Sequence, residues 1–283
     1  VLIRGLSVLS LFMTSTFGVM SNEILVAVPL FVFMGAILER SGATEKLFET
    51  LFKLMGPMRG GLAIAAIIIS TVFAACTGII AASVTAMALI AMPAMLKRGY
   101  ATDISTGVVC AGGSLGILIP PSVMLVLLGP MTNLSVADLF AGAIGPGLML
   151  SAAYIIYIIL RAIFDPKALP AIDKNERTES IPRLIFDTII YLIPILGLLV
   201  AVMGSILLGI TSPTEASALG VAGATIVAII YRSFDLKKLK ESLKESITVT
   251  SMVFFVIVGA GMFTSVFLYL GGGRVIESAI LSL

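Results

Sequence analysis

Charged positions fall in clusters separated by long apolar runs, and the longest run sets the plan of the chain. From Gly60 to Leu96, 37 residues pass without one charged side chain. A helix crossing about 30 Å of hydrocarbon needs about 20 residues. The run is thus too long for one crossing and slightly short for two crossings joined by a turn. Its midpoint, Cys76-Thr77-Gly78, supplies a turn former and a hydroxyl. This predicts a re-entrant helical hairpin over 60–97 whose tip stops inside the membrane. After the basic break Lys97-Arg98-Gly99-Tyr100 comes a second apolar run, 101–132, interrupted by GGSLGILIPPS at 112–122. The glycines and Pro120-Pro121 predict a helix broken at a matching depth. Non-helical backbone at that depth persists only where protein or a watery cavity covers it. Two such interruptions close together point to a transport site.

The flanking segments follow from the same pattern. Residues 1–22 are apolar with interspersed Ser and Thr, and read as the end of a crossing helix or as a segment along the interface. A membrane helix carrying Pro29 and Gly35 is expected over Ile24–Leu38. In 44–58, Leu47, Phe48, Leu51, Phe52, Leu54 and Met55 recur at helical spacing, with Glu45, Lys46, Glu49 and Lys53 on the other face. Too short and charged to span, this segment predicts an amphipathic helix in the interface plane. A long helix over 138–164 precedes the hydrophilic stretch 165–183, whose prolines and mixed charges read as a solvated linker. Helices are expected over 184–209 and 214–231, a second interfacial amphipathic helix over 235–246, and a further membrane helix over 247–270.

The chain is 59% hydrophobic with mean hydropathy +1.14, and only 12% of it is charged. That composition specifies an all-α polytopic membrane protein. The long continuous runs exclude a β-barrel, whose strands alternate over about ten residues. Charge distribution then tests the hairpin. If 60–97 enters and leaves on one side, 16 of the 18 Lys and Arg share that side, all except Arg4 and Arg274. The positive-inside rule makes that side cytoplasmic. A single crossing by 60–97 would scatter the basic clusters over both sides.

The chain has no histidine, and Cys76 and Cys110 sit in apolar runs with no metal-site spacing. No nucleophile–base pair or metal cluster appears, so no enzyme is expected. No charged ring lines an obvious channel, so a pore is not expected. Residues 60–96 and 104–137 contain no Asp, Glu, Lys or Arg, so this part offers no carboxylate proton relay. It offers oxygens: the hydroxyls of Thr77, Ser83 and Thr85 on the hairpin, those of Ser114 and Ser122 around the break, and carbonyls freed by unwinding. Such groups suit sodium, and half-helix N-termini favour an anionic substrate. The competing reading is that the small residues only permit close helix packing. In Thr211-Ser212-Pro213-Thr214-Glu215, the plain reading is an N-terminal helix cap. A gating or ion-related role for Thr211, Thr214 and Glu215 is the alternative.

At these residues the chain resembles the large membrane subunit of the tripartite ATP-independent periplasmic (TRAP) transporters. The resemblance rests on VPLFVFMGAILERSG (28–42), GPMRGGLA (56–63), AMPAMLKRGY (91–100), GGSLGILIPPS (112–122) and GITSPTEASA (209–218), in the family's order. It implies a sodium-coupled importer of organic acids in the bacterial inner membrane, fed by a periplasmic solute-binding protein and working with a small membrane subunit. It also implies an elevator mechanism. Carried onto this sequence, the sodium site comprises Thr77, Gly78, Ser83, Gly113, Ser114 and Gly116, and the substrate meets Ser114, Pro120, Pro121 and Ser122. No cofactor is implied beyond Na+ as coupling ion. The domains expected are 1–58 (scaffold and arm helix), 59–134 (hairpin and broken helix), 135–246 (connecting helices) and 247–283 (start of a second repeat). The family's second hairpin and Thr-Pro-Pro break are not found after Leu270, which gives the expectation of an incomplete subunit. Ile79 and Ile80 depart from the Ser-rich tip of the family. The rival readings are a related carrier that needs no binding protein, and a non-transporting scaffold or fragment.

Overall fold

The computed structural model describes residues 7–78, 80–171 and 181–282, and every regular element among them is helical. Arg4, Ile79 and part of the expected linker over 165–183 lie outside the described residues. The elements are α1 (Ser7–Met20), a 3-10 turn (Glu23–Val26), α2 (Ala27–Arg40), α3 (Ala43–Met55), α4 (Gly61–Thr77), α5 (Ile80–Lys97), α6 (Thr102–Leu118), α7 (Val123–Thr132), α8 (Val136–Phe164), α9 (Ile181–Leu207), α10 (Pro213–Ile230), α11 (Leu236–Tyr269) and α12 (Gly272–Leu281). Four of them, α8 to α11, are each long and apolar enough to cross a membrane, and up to six spans result if each bent pair counts as one.

The hairpin forms as the pattern predicts. Its arms α4 and α5 have 17 and 18 residues, so α4 is about 25 Å long, short of the hydrocarbon thickness. Its two feet meet on one short segment: Gly60 N–H donates to Leu169 O at 3.2 Å, and Ala101 N–H to Ala168 O at 3.0 Å. The buried Tyr100 hydroxyl accepts from Leu62 N–H at 3.3 Å. Burial pushes the Tyr100 pKa up to about 12. Both ends of 60–97 therefore lie on the side that carries Arg98, Arg161 and Lys167, as the charge argument requires.

The break also forms. Helices α6 and α7 meet at 41°, because Pro120 and Pro121 remove two backbone donors and α6 ends at Leu118. A second bend, of 58°, separates α1 from the segment Glu23–Arg40. Helix α3 is amphipathic as expected, yet protein covers its apolar face: Leu47, Phe48 and Leu51 are buried in a cluster with Leu62, Ile67 and Met95 of the hairpin. A second cluster surrounds α2, where Phe31 and Phe140 pack edge to face with ring centroids 6.4 Å apart.

One expected element is corrected. Residues 235–246 are no separate interfacial helix; Asp235 caps α11, and 236–246 form its first third in a helix that runs unbroken for 34 residues. Neither Gly nor Pro occurs between Leu236 and Val258, so nothing interrupts the helix. Its length of about 50 Å exceeds the hydrocarbon, and the charged end projects beyond it. Helix α9 likewise begins at Ile181 and not at 184, since Pro182 is tolerated in a first turn.

Candidate functional site

The hairpin tip and the helix break are in direct contact. Helix α4 ends at Thr77, and Gly78 turns the chain in the left-handed region at φ 60°. A Cβ on Gly78 would lie 3.1 Å from Pro121 O and 3.1 Å from Val123 N. A side chain there would crowd both atoms, and glycine lets the two interruptions touch without displacement. Two stretches about 40 positions apart in sequence thus form one locus.

The polar groups there are buried and neutral. Thr77 and Ser83 face each other across the tip, with their hydroxyl oxygens 2.8 Å apart, and both are buried. The Thr77 hydroxyl also lies 3.2 Å from Phe73 O, one turn back. Ser122 is buried and is the N-cap residue of α7, but its hydroxyl donates to Ile117 O at 2.7 Å across the break. It makes no side-chain cap bond to α7. The first N–H groups of α7 therefore carry their partial positive charge toward the tip, and the C-terminal carbonyls of α4 bring partial negative charge to the same place. Hydroxyl and carbonyl oxygens and backbone N–H groups are thus side by side at this locus. Among the described residues no group of His, Cys, Asp and Glu could hold a metal ion.

The structure sorts the residues singled out from the sequence. Thr77, Gly78, Ser83, Pro121 and Ser122 come together, with Pro120 adjoining in a cis Pro120–Pro121 peptide. Gly113 lies against α5: a Cβ there would sit 3.1 Å from Val84 Cα. Its observed role is to admit the hairpin arm next to Ser83. The half-buried Ser114 donates to Ala111 O at 2.7 Å within α6, and Gly116 is buried on the same helix. Thr85 is exposed. Ile80 is 42% exposed and does not enter the buried hydroxyl pair, while Ile79 lies outside the described residues.

Thr211, Thr214 and Glu215 occupy another place. Ser212 caps α10 through a reciprocal box: its hydroxyl accepts from Glu215 N–H at 3.3 Å, and the Glu215 carboxylate accepts from Ser212 N–H at 2.8 Å. Thr214 donates to Glu23 O at 3.1 Å, and Thr211 to Ser205 Oγ at 2.9 Å. The first of these ties the start of α10 to the 3-10 turn before α2, and the second ties the preceding loop to the end of α9.

Sequence reasoning missed Gly35. It lies in the middle of α2, where a Cβ would stand 2.7 Å from Thr77 Cα and 2.9 Å from Cys76 O. Helix α2 is thus the wall against which the hairpin tip rests. The available signal was a lone glycine inside an apolar helix, which lowers helix propensity unless close approach requires it.

The family model for "Tripartite ATP-independent periplasmic transporter, DctM component" matches residues 1–283. The chain is 35% identical over 245 residues to the C4-dicarboxylate TRAP transporter large permease protein DctM of Pseudomonas aeruginosa, covering 86% of this chain and 55% of that protein. It is 31% identical over 239 residues to the ectoine/5-hydroxyectoine TRAP transporter large permease protein UehC of Ruegeria pomeroyi, covering 84% and 54%. Similarity to the 2,3-diketo-L-gulonate TRAP transporter large permease protein YiaN of Escherichia coli is 29% over 237 residues, covering 83% and 54%. The chain spans about half the length of the curated relatives it matches.

Proposed function

This chain belongs to the DctM-component family of tripartite ATP-independent periplasmic transporters, and we propose that it serves as the large permease of a sodium-coupled importer of carboxylate solutes. In this reading a periplasmic binding protein delivers the solute, a small membrane subunit accompanies the permease, and the complex sits in the bacterial inner membrane. The hairpin and broken helix move as a unit against the helices around α2. The relatives are named for different solutes, so the proposal names a chemical class and not one compound.

One observation carries the proposal: the hairpin tip, with its buried Thr77–Ser83 hydroxyl pair, seats directly on the break at Pro121-Ser122. The hydroxyls and the α4 carbonyls supply oxygen ligands for a monovalent cation. The α7 N-terminus, uncapped by Ser122, faces a carboxylate with N–H donors. No lysine or arginine is needed for that contact, in keeping with the uncharged stretch from Gly60 to Leu96.

The test is thermal unfolding of the purified chain in nanodiscs, with sodium titrated against potassium at constant ionic strength. A ligand that binds only the folded state raises stability by RT ln(1 + [L]/Kd). Stabilisation by sodium and not by potassium, diminished in Thr77→Val, is the expected result. Equal stabilisation by both ions would remove the basis for sodium coupling. Solute uptake into proteoliposomes, with and without the binding protein and small subunit, then tests the transport cycle.

A further inference from the structure

Helix α11 presents two different faces at its basic end. One is fixed to α2. Lys238 Nζ, Ser242 Oγ and Ser246 Oγ, four residues apart, donate to the carbonyls of Arg40, Ala36 and Pro29 at 3.1, 3.1 and 2.9 Å. The Arg40 guanidinium in turn pairs with Glu241 and Glu245. These contacts set how α11 is rotated about its axis.

The other face therefore points outward. At 3.6 residues per turn, Lys237, Lys240 and Lys244 fall within an arc of about 60°, beside a strip formed by Leu236, Leu243 and Ile247. All six residues are exposed. Among the described residues, none of the three ammonium groups has a carboxylate within ion-pair distance. Two basic groups elsewhere on this side are engaged by aromatic rings: Lys46 lies over the rings of Tyr191 and Tyr231 at 5.6 and 6.0 Å, and Arg98 over Phe52 at 5.0 Å.

We propose that this face of α11 binds anionic phospholipid headgroups of the leaflet on the basic side. The apolar strip continues into the uncharged stretch that begins at Ile247, so the three lysines stand at headgroup level, where long side chains reach the interface. Each ammonium pairs with phosphate oxygens, and the strip lies along the acyl chains. The exposed strip is what selects a lipid over an acidic protein segment, because it runs straight into the hydrocarbon-facing part of the helix. The lipid holds α11 from outside as α2 holds it from inside.

The chain contains no tryptophan, so Leu243→Trp installs a single reporter. The variant is placed in phosphatidylcholine nanodiscs containing brominated-acyl phosphatidylglycerol or, in parallel, brominated-acyl phosphatidylcholine. The phosphatidylglycerol quencher is expected to quench more strongly at equal mole fraction, and added salt to reduce the difference. Lys237→Gln, Lys240→Gln and Lys244→Gln together are expected to lower the preference by up to roughly a hundredfold, while arginine at the same positions retains it. A reporter at Phe267, near the other end of α11, is expected to show none. Equal quenching by the two lipids, or a preference that survives the glutamine variant, overturns the proposal. If the triple variant does not fold, Lys240→Glu decides in its place, with loss of preference supporting the proposal and retention overturning it.

Discussion

Gly35 of α2 and Thr77 at the hairpin tip are in backbone contact, with only 2.7 Å between the Thr77 Cα and the place a Cβ would occupy on Gly35. A separation under 3 Å between such atoms forces a shift, and the obstacle is backbone, which cannot rotate away. Gly35→Ala is therefore expected to push the tip off α2 and destabilise the fold by about 1–3 kcal/mol. Gly18, with nothing within 4 Å of its added Cβ, is the comparison: Gly18→Ala should be neutral or slightly stabilising because alanine favours helix. Thermal unfolding of the two variants in the same nanodisc decides. Equal midpoints would mean that α2 does not abut the tip.

Thr77 and Ser83 supply the paired oxygens at the tip. Thr77→Val keeps the branched shape and removes one oxygen. If both hydroxyls serve one sodium ion, the substitution should weaken sodium on the order of tenfold, or about 1.4 kcal/mol. Ser83→Ala should act in the same direction, and the double variant should lose less than the sum of the two. The readout is the sodium concentration that gives half-maximal thermal stabilisation. Strict additivity would indicate that the two hydroxyls act apart and do not share one ion.

Glu215 caps α10 through Ser212. Glutamine preserves the acceptor that the box requires, so Glu215→Gln is expected to change stability little. Ser212→Ala removes the bond to Glu215 N–H and should cost about 1 kcal/mol. Neither should alter the sodium response of the tip. A loss of sodium stabilisation in Glu215→Gln would instead assign the carboxylate to ion handling.

Much of this architecture was legible in the sequence because membrane constraints are severe. A charge-free run of 37 residues with Thr-Gly at its centre permits few structures, and the turn falls at Gly78. The amphipathic spacing of 44–58 located α3 within a few residues. What the pattern could not reveal is contact across the fold. The charged composition of 235–246 suggested a surface helix, but composition does not stop a helix that lacks a breaker, and α11 continues. The resemblance implies an ion-site role for Gly113, and the contact that the fold gives it with Val84 has no signal in the sequence pattern. Gly35 lies within the 28–42 motif, but nothing in that stretch shows that its partner is the tip residue 42 positions away.

The tip–break contact itself makes the sharpest comparison. Gly78 and Gly42 both adopt left-handed backbone, at φ 60° and 70°, so alanine at either should cost about 1–2 kcal/mol from conformation alone. Their surroundings differ. A Cβ at Gly42 meets nothing within 4 Å, whereas at Gly78 it meets Pro121 O and Val123 N at 3.1 Å. Asparagine visits the left-handed region more readily than alanine, so Gly42→Asn should recover most of the loss seen in Gly42→Ala. Gly78→Asn should not, because its Cβ crowds the same two atoms. Unfolding midpoints of the four variants settle the matter. If asparagine rescues Gly78 as fully as Gly42, the hairpin does not seat on the break. If only Gly42 is rescued, the two interruptions form one locus, and the excess cost at Gly78 measures how tightly the tip is held there.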